Sequence, residues 1–343
     1  MDEMKELFIN ASKSYTVRIQ ENADGLSSFI KPLLKGKKLL LITDERVEKL
    51  YAEQIVSALI GVEITQIVLP EGEAQKNGEN YFKILNTLAE NGFTRSDAIL
   101  TLGGGVVGDL GGFAACSYMR GIVWINLPTT VLAAVDAAIG GKTAINLSVG
   151  KNLCGSFYQP DGVVICTDFF KTLSDRDLLS GYGEILKYAL LSKTVNEKAL
   201  DEGLTEELIF QCLSIKKSVV EEDEREQGKR KILNLGHTVG HAIEALSGYT
   251  LSHGECVVKG LYAALKISKK LYSLDEKTSG NILKIITKKG HDLTIPYSPK
   301  EIVEGIKADK KRTRDRVDFI LLKGVGEPVI TPIGLREIEE ALS

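Results

Sequence analysis

Short apolar runs alternate with stretches of helical periodicity through the first half of the chain. KLLLIT at 38–43, EITQIVL at 63–69, AILTL at 98–102, VWINL at 123–127 and VVIC at 163–166 read as strands, with helical patterns such as 79–91 between several of them. Apolar strands spaced by helices predict a parallel sheet covered on both faces. Near Leu173 the pattern changes. Ser174 followed by Asp177 predicts a helix start, with Leu173 and Leu178 placed for a hydrophobic staple. The pattern then stays helical to about 271, and a hairpin is expected near 317–322. The fold expected is an α/β N-terminal domain with a mainly parallel sheet over 1–172 and a mostly α-helical C-terminal domain over 173–343.

Composition agrees with two such domains. The chain has 343 residues, of which 43% are hydrophobic and 26% charged, enough for two cores. With 43 basic and 46 acidic residues the net charge is -3, so no nucleic acid or membrane partner is expected. One basic run (Lys307, Lys310, Lys311, Arg312, Arg314, Arg316) is interleaved with Asp309, Asp315 and Asp318, and reads as a solvated loop or a local anion site. Five cysteines, at 116, 154, 166, 212 and 256, lack paired spacing and argue against a disulfide framework. MDEMKELF carries no apolar signal core, and the most apolar stretch, 121–141, is broken by Asn126, Pro128 and Asp136. A reduced, cytoplasmic location is the expectation.

Two glycine-rich segments bear on ligand binding. Gly103, Gly105 and Gly108 follow a strand in G-x-G-x-x-G spacing, which allows a tight turn and close approach to a pyrophosphate. The acid usually found about twenty residues on is missing, because 120–135 holds no Asp or Glu; Asp44, ending an earlier strand, could bond a ribose instead. A purely structural turn fits the same residues. Gly141-Lys142-Thr143 resembles the end of a phosphate loop, but Asp136 stands where that loop needs glycine. Lys142, Lys151 and Asn152 remain as donors suited to a carboxylate or phosphate, or as ordinary surface residues.

Three of the four histidines, His237, His241 and His253, crowd into LNLGHTVGHAIEALSGYTLSHGE. His237 and His241, four apart, share a helix face with Asn234, and spacing alone suggests that both bind one metal ion. A carboxylate must complete the set, and Glu184, Glu226, Glu244 and Glu255 are all open candidates. Histidines satisfied by core hydrogen bonds are the alternative. Glu184 and Lys187, three apart, read as a surface ion pair.

PEGEAQK, GGGVVGDLGGFAA, LPTTVLAAVDAAIGGKTAIN, GKNLCGSFYQP, GYGEILKYALL, DERE, LNLGHTVGHAIE and HGE, in order over 70–255, together resemble the 3-dehydroquinate synthase family of sugar-phosphate cyclases. The resemblance implies a Rossmann-like first domain that binds NAD and a second that binds metal and substrate. It implies Glu184, His237 and His253 as ligands of Zn²⁺ (or Co²⁺), with His241 a site residue rather than a ligand. NAD would be held by Asp44, by Glu73 to Lys76, by Gly104, Gly105, Val106 and Asp109, by Thr129 and Thr130, and by Lys142, Lys151, Lys171 and Thr172. Substrate would meet Asp136, Lys142, Asn152, Lys187, Lys216, Arg230, Asn234, His241 and one of Lys310 or Lys311. Arg120 would reach the phosphate site of a second subunit, which implies a homodimer. The implied reaction converts 3-deoxy-D-arabino-heptulosonate 7-phosphate to 3-dehydroquinate and phosphate. A sister cyclase (2-deoxy-scyllo-inosose or valiolone synthase type), a metal-dependent polyol dehydrogenase and a catalytically dead binding protein are the competing readings.

Overall fold

The main sheet is built from β1 (Lys5–Ile9), β2 (Tyr15–Gln20), β3 (Lys38–Asp44), β4 (Glu63–Leu69), β5 (Ala98–Gly103), β6 (Val123–Pro128) and β9 (Gly162–Cys166), in the order β1-β2-β9-β6-β5-β3-β4. The structure, a computed structural model, describes residues 4–309 and 316–343. Every pairing in this sheet is parallel except β1 with β2. β5, β6 and β9 are buried at every position, as strands covered on both faces must be. β1 alternates Leu7 and Ile9 inward with exposed neighbours, the pattern of an antiparallel edge with one wet face.

The chain leaves β3 for β4 on one side and returns for β5 on the other. The carboxyl ends of β3 and β5, at Asp44 and Gly103, therefore flank a topological switch point, where sheets of this kind bind ligands. A short hairpin of β7 (Lys142–Leu147) and β8 (Gly150–Phe157) stands apart from the main sheet. It occupies the segment that the sequence offers as a glycine-rich loop.

Two compact units divide the chain. The first runs through Leu173 and also takes Leu204–Glu224; the second comprises Ser174–Gly203 and Arg225–Ser343. The first unit's leading segment ends at Leu173, and helix Glu206–Glu222 lies in that unit rather than the second. Its partners explain the difference: Lys5 Nζ pairs with Glu207 at 2.8 Å, Asn10 N donates to Glu221 Oε1 at 2.6 Å, and Ser12 N donates to Glu224 Oε2 at 2.8 Å. All three ties run to β1 and the turn after it, elements the apolar pattern leaves unmarked.

The second unit holds helices Asp175–Leu191, Glu197–Asp201, His237–Leu246, His253–Tyr272, Glu276–Lys288, Pro299–Asp309 and Leu335–Leu342, with a hairpin of β10 (Arg316–Gly324) and β11 (Glu327–Gly334). Ser174 caps the first of these helices through Asp177 N, as its sequence signature predicts. Among the described residues no helix is long and apolar enough to cross a membrane.

The fourth histidine gives this unit a pH dependence. His291 is buried, its Nε2 has no hydrogen-bond partner among the described residues, and burial pushes its pKa down to about 4. The unfolded chain takes up that proton near pH 6.5 and the folded chain only near 4, so stability is full above 6.5 and falls as pH drops through this window. Between pH 7.5 and 5 the group should cost about 2 kcal/mol. Denaturant titration of His291→Phe should show the gap between those two pH values reduced by that amount. An unreduced gap would mean the ring is already charged in the fold.

Candidate functional site

Three helices of the second unit converge on one point because glycine lets their backbones touch. A Cβ added at Gly254 would overlap the carbonyl of Ser180, and one at Gly260 would overlap the carbonyl of Gly236. Gly183 approaches Gly254 equally closely. These contacts set helix Asp175–Leu191 against His253–Tyr272, and the latter against the start of His237–Leu246. Glu184, His237 and His253 adjoin Gly183, Gly236 and Gly254 in sequence, so the contact points carry the functional side chains.

Oε1 of fully buried Glu184 faces His237 Nε2 at 3.2 Å and His253 Nε2 at 3.4 Å. Apart from these two rings, among the described residues the carboxylate meets Lys187, whose Nζ is in ion-pair contact with Oε2. Such separations are those of a tetrahedron: ligand atoms about 2.0–2.1 Å from a shared zinc ion lie about 3.3 Å from each other. One buried carboxylate and two imidazoles also form the donor set of a divalent site with an open position. The far nitrogens are anchored, His237 Nδ1 on Leu235 O and His253 Nδ1 on Glu244 Oε2, both at 3.1 Å.

Electrostatics agree with a bound cation. Burial works to raise the Glu184 pKa, but Lys187 and His237 overcome it and hold the carboxyl well below its ordinary range. Burial works to depress His253, yet the facing carboxylates of Glu184 and Glu244 push it up to about 10, so positive charge is favoured at that ring. His241, by contrast, is pushed down to about 3 by burial and by the neighbouring His237 and His253 rings. It stays a neutral imidazole at physiological pH.

The four open carboxylates thus separate by partner. Glu184 faces both Nε2 atoms. Glu244 stands behind His253. Glu255 is occupied in the capping box of Ser252. Glu226, held in a left-handed conformation (φ 57°), accepts from Asn234 Nδ2 at 2.6 Å. A second grouping, His241, Glu244 and His253, also lies within ligand range of a common point. Glu184 and Lys187 are not a surface pair, as their spacing alone suggested: at 0% and 1% side-chain exposure both are core, on a helix buried around most of its circumference. Arg230 is buried as well. Lys310 and Lys311 lie outside the described residues.

In the first unit the expected residues fall into four groups. Lys76 Nζ donates to Asp109 Oδ2 and to Asn152 Oδ1, each at 2.5 Å. Asn152 has φ 56° and its N–H donates to Asn146 Oδ1, while Asn146 Nδ2 donates to Glu73 Oε1. Burial raises the Asp109 pKa against the pull of Lys76. Lys142 starts β7, and Lys151 precedes Asn152 on β8 of the same hairpin. Lys216 Nζ, from helix Glu206–Glu222, donates to Asp136 Oδ1 at 2.8 Å.

Around the switch point, Asp44 Oδ1 caps the following turn through Arg46 N and Val47 N, and Arg46 reaches the carbonyl of Thr172. Neighbouring Lys171 pairs with Asp168 at 2.5 Å. Gly104 caps helix Gly105–Ser117, which carries Val106 and Asp109, without a side chain, so the helix opens on bare amides. Thr129 N donates to Gly103 O, while Thr130 Oγ1 accepts from Ala133 N. The buried hydroxyls of Thr43 and Thr129, at the carboxyl ends of β3 and β6, have no hydrogen-bond partner among the described residues. Bare amides and orphaned hydroxyls at a switch point fit a dinucleotide.

Arg120 does not join any of these groups. It sits before β6, at the opposite edge of the sheet from Thr129, and a six-residue strand spans about 20 Å. It lies in a turn where Met119, Arg120 and Gly121 all have positive φ (49°, 67° and 119°). Two adjacent non-glycine residues in that region are strained.

The whole architecture is that of the sugar-phosphate cyclases. A 2-deoxy-scyllo-inosose synthase solved with carbaglucose-6-phosphate, NAD⁺ and Co²⁺ superposes with a TM-score of 0.88, at 28% identity and 99% coverage of both chains. A 2-epi-5-epi-valiolone synthase from Streptomyces hygroscopicus subsp. jinggangensis 5008, solved with NAD⁺ and Zn²⁺, gives 0.86, at 26% identity and 97% coverage of both. Sequence narrows the class. The 3-dehydroquinate synthase N-terminal family matches residues 66–180, and its C-terminal counterpart matches residues 181–312. The 3-dehydroquinate synthase of Alkaliphilus metalliredigens is 43% identical over 96% of each chain. The chain belongs to the 3-dehydroquinate synthase family, and is an enzyme of that phosphate-eliminating, ring-closing class.

Proposed function

We propose that this chain converts 3-deoxy-D-arabino-heptulosonate 7-phosphate to 3-dehydroquinate and inorganic phosphate, using NAD and a divalent cation, zinc or cobalt. The observation that carries the reading is the convergence of Glu184 Oε1 with two imidazole Nε2 atoms at 3.2 and 3.4 Å, in a chain of this family. Glu184, His237 and His253 would hold the cation; the switch-point edge at Asp44, Gly104 to Asp109, Thr129 and Thr130 would hold NAD. When bound, NAD would supply a reversible hydride acceptor for the C5 alcohol, and the cation would supply Lewis acidity at that oxygen.

The remaining side chains handle charge and position. The substrate carries a carboxylate and a phosphate, which suit Lys142, Asn152, Arg230 and a lysine at 310 or 311 as clamps. Lys187 balances buried Glu184, and Asp136 fixes the ammonium of Lys216. His241, kept neutral, can accept or donate a proton at a ring nitrogen without carrying charge into the site. The same reading places the enzyme in the cytoplasm beside its NAD supply, as a homodimer in which Arg120 serves the neighbouring subunit.

Phosphate release from the heptulosonate phosphate tests the whole assignment. It should require NAD⁺, stop on chelation, resume on adding zinc or cobalt, and leave no net NADH. Release that ignores chelation would overturn the metal role. One NADH per turnover would identify a polyol dehydrogenase instead, and turnover of a hexose 6-phosphate lacking the carboxylate would identify a sister cyclase.

A further inference from the structure

Glu244 stands directly behind one of the two imidazoles. Its Oε2 lies 3.1 Å from His253 Nδ1, while Nε2 of the same ring faces Glu184 Oε1 at 3.4 Å. Helix His237–Leu246 arranges both sides of this contact. Glu244 follows His237 by two helical turns and so shares its face. One helix thereby presents an imidazole toward Glu184 and a carboxylate to the ring carried by the next helix.

The two rings differ in how firmly they are held. His237 is at 11% side-chain exposure, with Nδ1 on the carbonyl of Leu235, two residues away in its own chain segment. His253 opens its helix and is at 30% exposure, so packing confines it less. Glu255, its neighbour in sequence, is committed to the capping box. Glu244 is the carboxylate that meets its far nitrogen.

A neutral imidazole carries a single N–H, and the acceptor on one side decides which nitrogen keeps a lone pair for a metal. We propose that Glu244 is a positioning residue: it holds the Nδ1–H of His253, fixes the ring's rotation and leaves Nε2 aimed at the point shared with Glu184 and His237. The inference rests on the metal reading of that triad and adds to it a residue that need not touch the ion. A charged acceptor also makes the ring a better donor than a backbone carbonyl does, so the two imidazoles are unequal ligands.

Zinc affinity by competition with a chromophoric chelator is the test, on the unsubstituted chain, Glu244→Ala and Glu244→Gln, with melting of the zinc-free proteins recorded alongside. Glu244→Ala should bind zinc about 10–100-fold more weakly. Glu244→Gln keeps an acceptor oxygen in place and should recover most of that loss. Each zinc-free protein should melt in one cooperative transition above the assay temperature, even where loss of the Glu244–His253 contact lowers the midpoint, so that weaker zinc binding is not unfolding; a variant already unfolded at that temperature would overturn the inference in favour of a structural role. Equal affinity in Glu244→Ala and the unsubstituted chain would overturn the inference alone. Glu244→Gln as weak as Glu244→Ala would overturn it in favour of direct ligation by the carboxylate. An unsubstituted chain that binds no zinc would overturn the metal reading and this inference with it.

Discussion

His253→Ala should reduce bound zinc from one ion per chain to a trace and abolish phosphate release, while the ion-free protein still folds, melting lower for want of the ring's contacts with Glu184 and Glu244. Two ligand atoms, on Glu184 and His237, would remain, too few for a site that needs three protein ligands beside an open position. The fold should survive because helix His253–Tyr272 is started by Ser252 and Glu255, whose side chains satisfy each other's backbone amides without the imidazole. Elemental analysis after dialysis reads the outcome. Unchanged zinc content would remove His253 from the ligand set and leave the 3.4 Å contact with Glu184 a simple ion pair.

Chains carrying Arg120→Ala and chains carrying Lys142→Ala should each be nearly inactive, yet regain activity when mixed and allowed to exchange subunits. Arg120 lies at the far edge of the sheet from the groups around Gly103 and Thr129, so on the proposed homodimer it would serve the neighbouring copy's site. In a mixed dimer one site receives intact Lys142 from its own chain and intact Arg120 from its neighbour; the other site receives neither. Random exchange makes half the dimers mixed, and the mixture should reach about a quarter of full activity. Inactivity that persists after exchange, with mixed dimers verified by mass, would show that Arg120 acts within its own chain or not at all.

Much of this fold is written in local patterns. The five apolar runs became β3, β4, β5, β6 and β9 to within a residue or two; in β5, β6 and β9 burial on both faces leaves no polar alternation to blur the run, while edge strand β4 keeps a β-branched run despite its exposed Glu63 and Gln66. Ser174 and the final hairpin were equally legible. β1 and β2 were not, since an edge ribbon of five and six residues has one wet face and mixes polar residues with apolar ones. The β7–β8 hairpin was hidden by its glycines and lysines. Helix Glu206–Glu222 could be read as a helix, but which unit it joins depends on Asn10, Ser12 and Lys5, some two hundred residues away.

The site divides along the same line. Clustered histidines pointed to a metal, and the family motifs pointed to Glu184, His237 and His253, which the fold brings together. Spacing by itself favoured His237 with His241, because it measures proximity along one helix and carries nothing about the next. The burial of Glu184 and Lys187 was illegible for a related reason: a charged pair three residues apart looks the same on a wet face as in a core.

At Gly183, Gly254 and Gly260 the helix crossings set main chain against main chain, with no cushion of side chains between. Where a cushion exists, rotamers can shuffle and let a cage swell by a few tenths of an ångström to admit a bigger guest. Here main chain rests on main chain, so swelling would mean prising rods apart. If Glu184, His237 and His253 hold a cation as proposed, such a cage would discriminate among ions by rigidity, and should reject calcium, with bonds of about 2.3–2.6 Å, far more firmly than it tells zinc from cobalt.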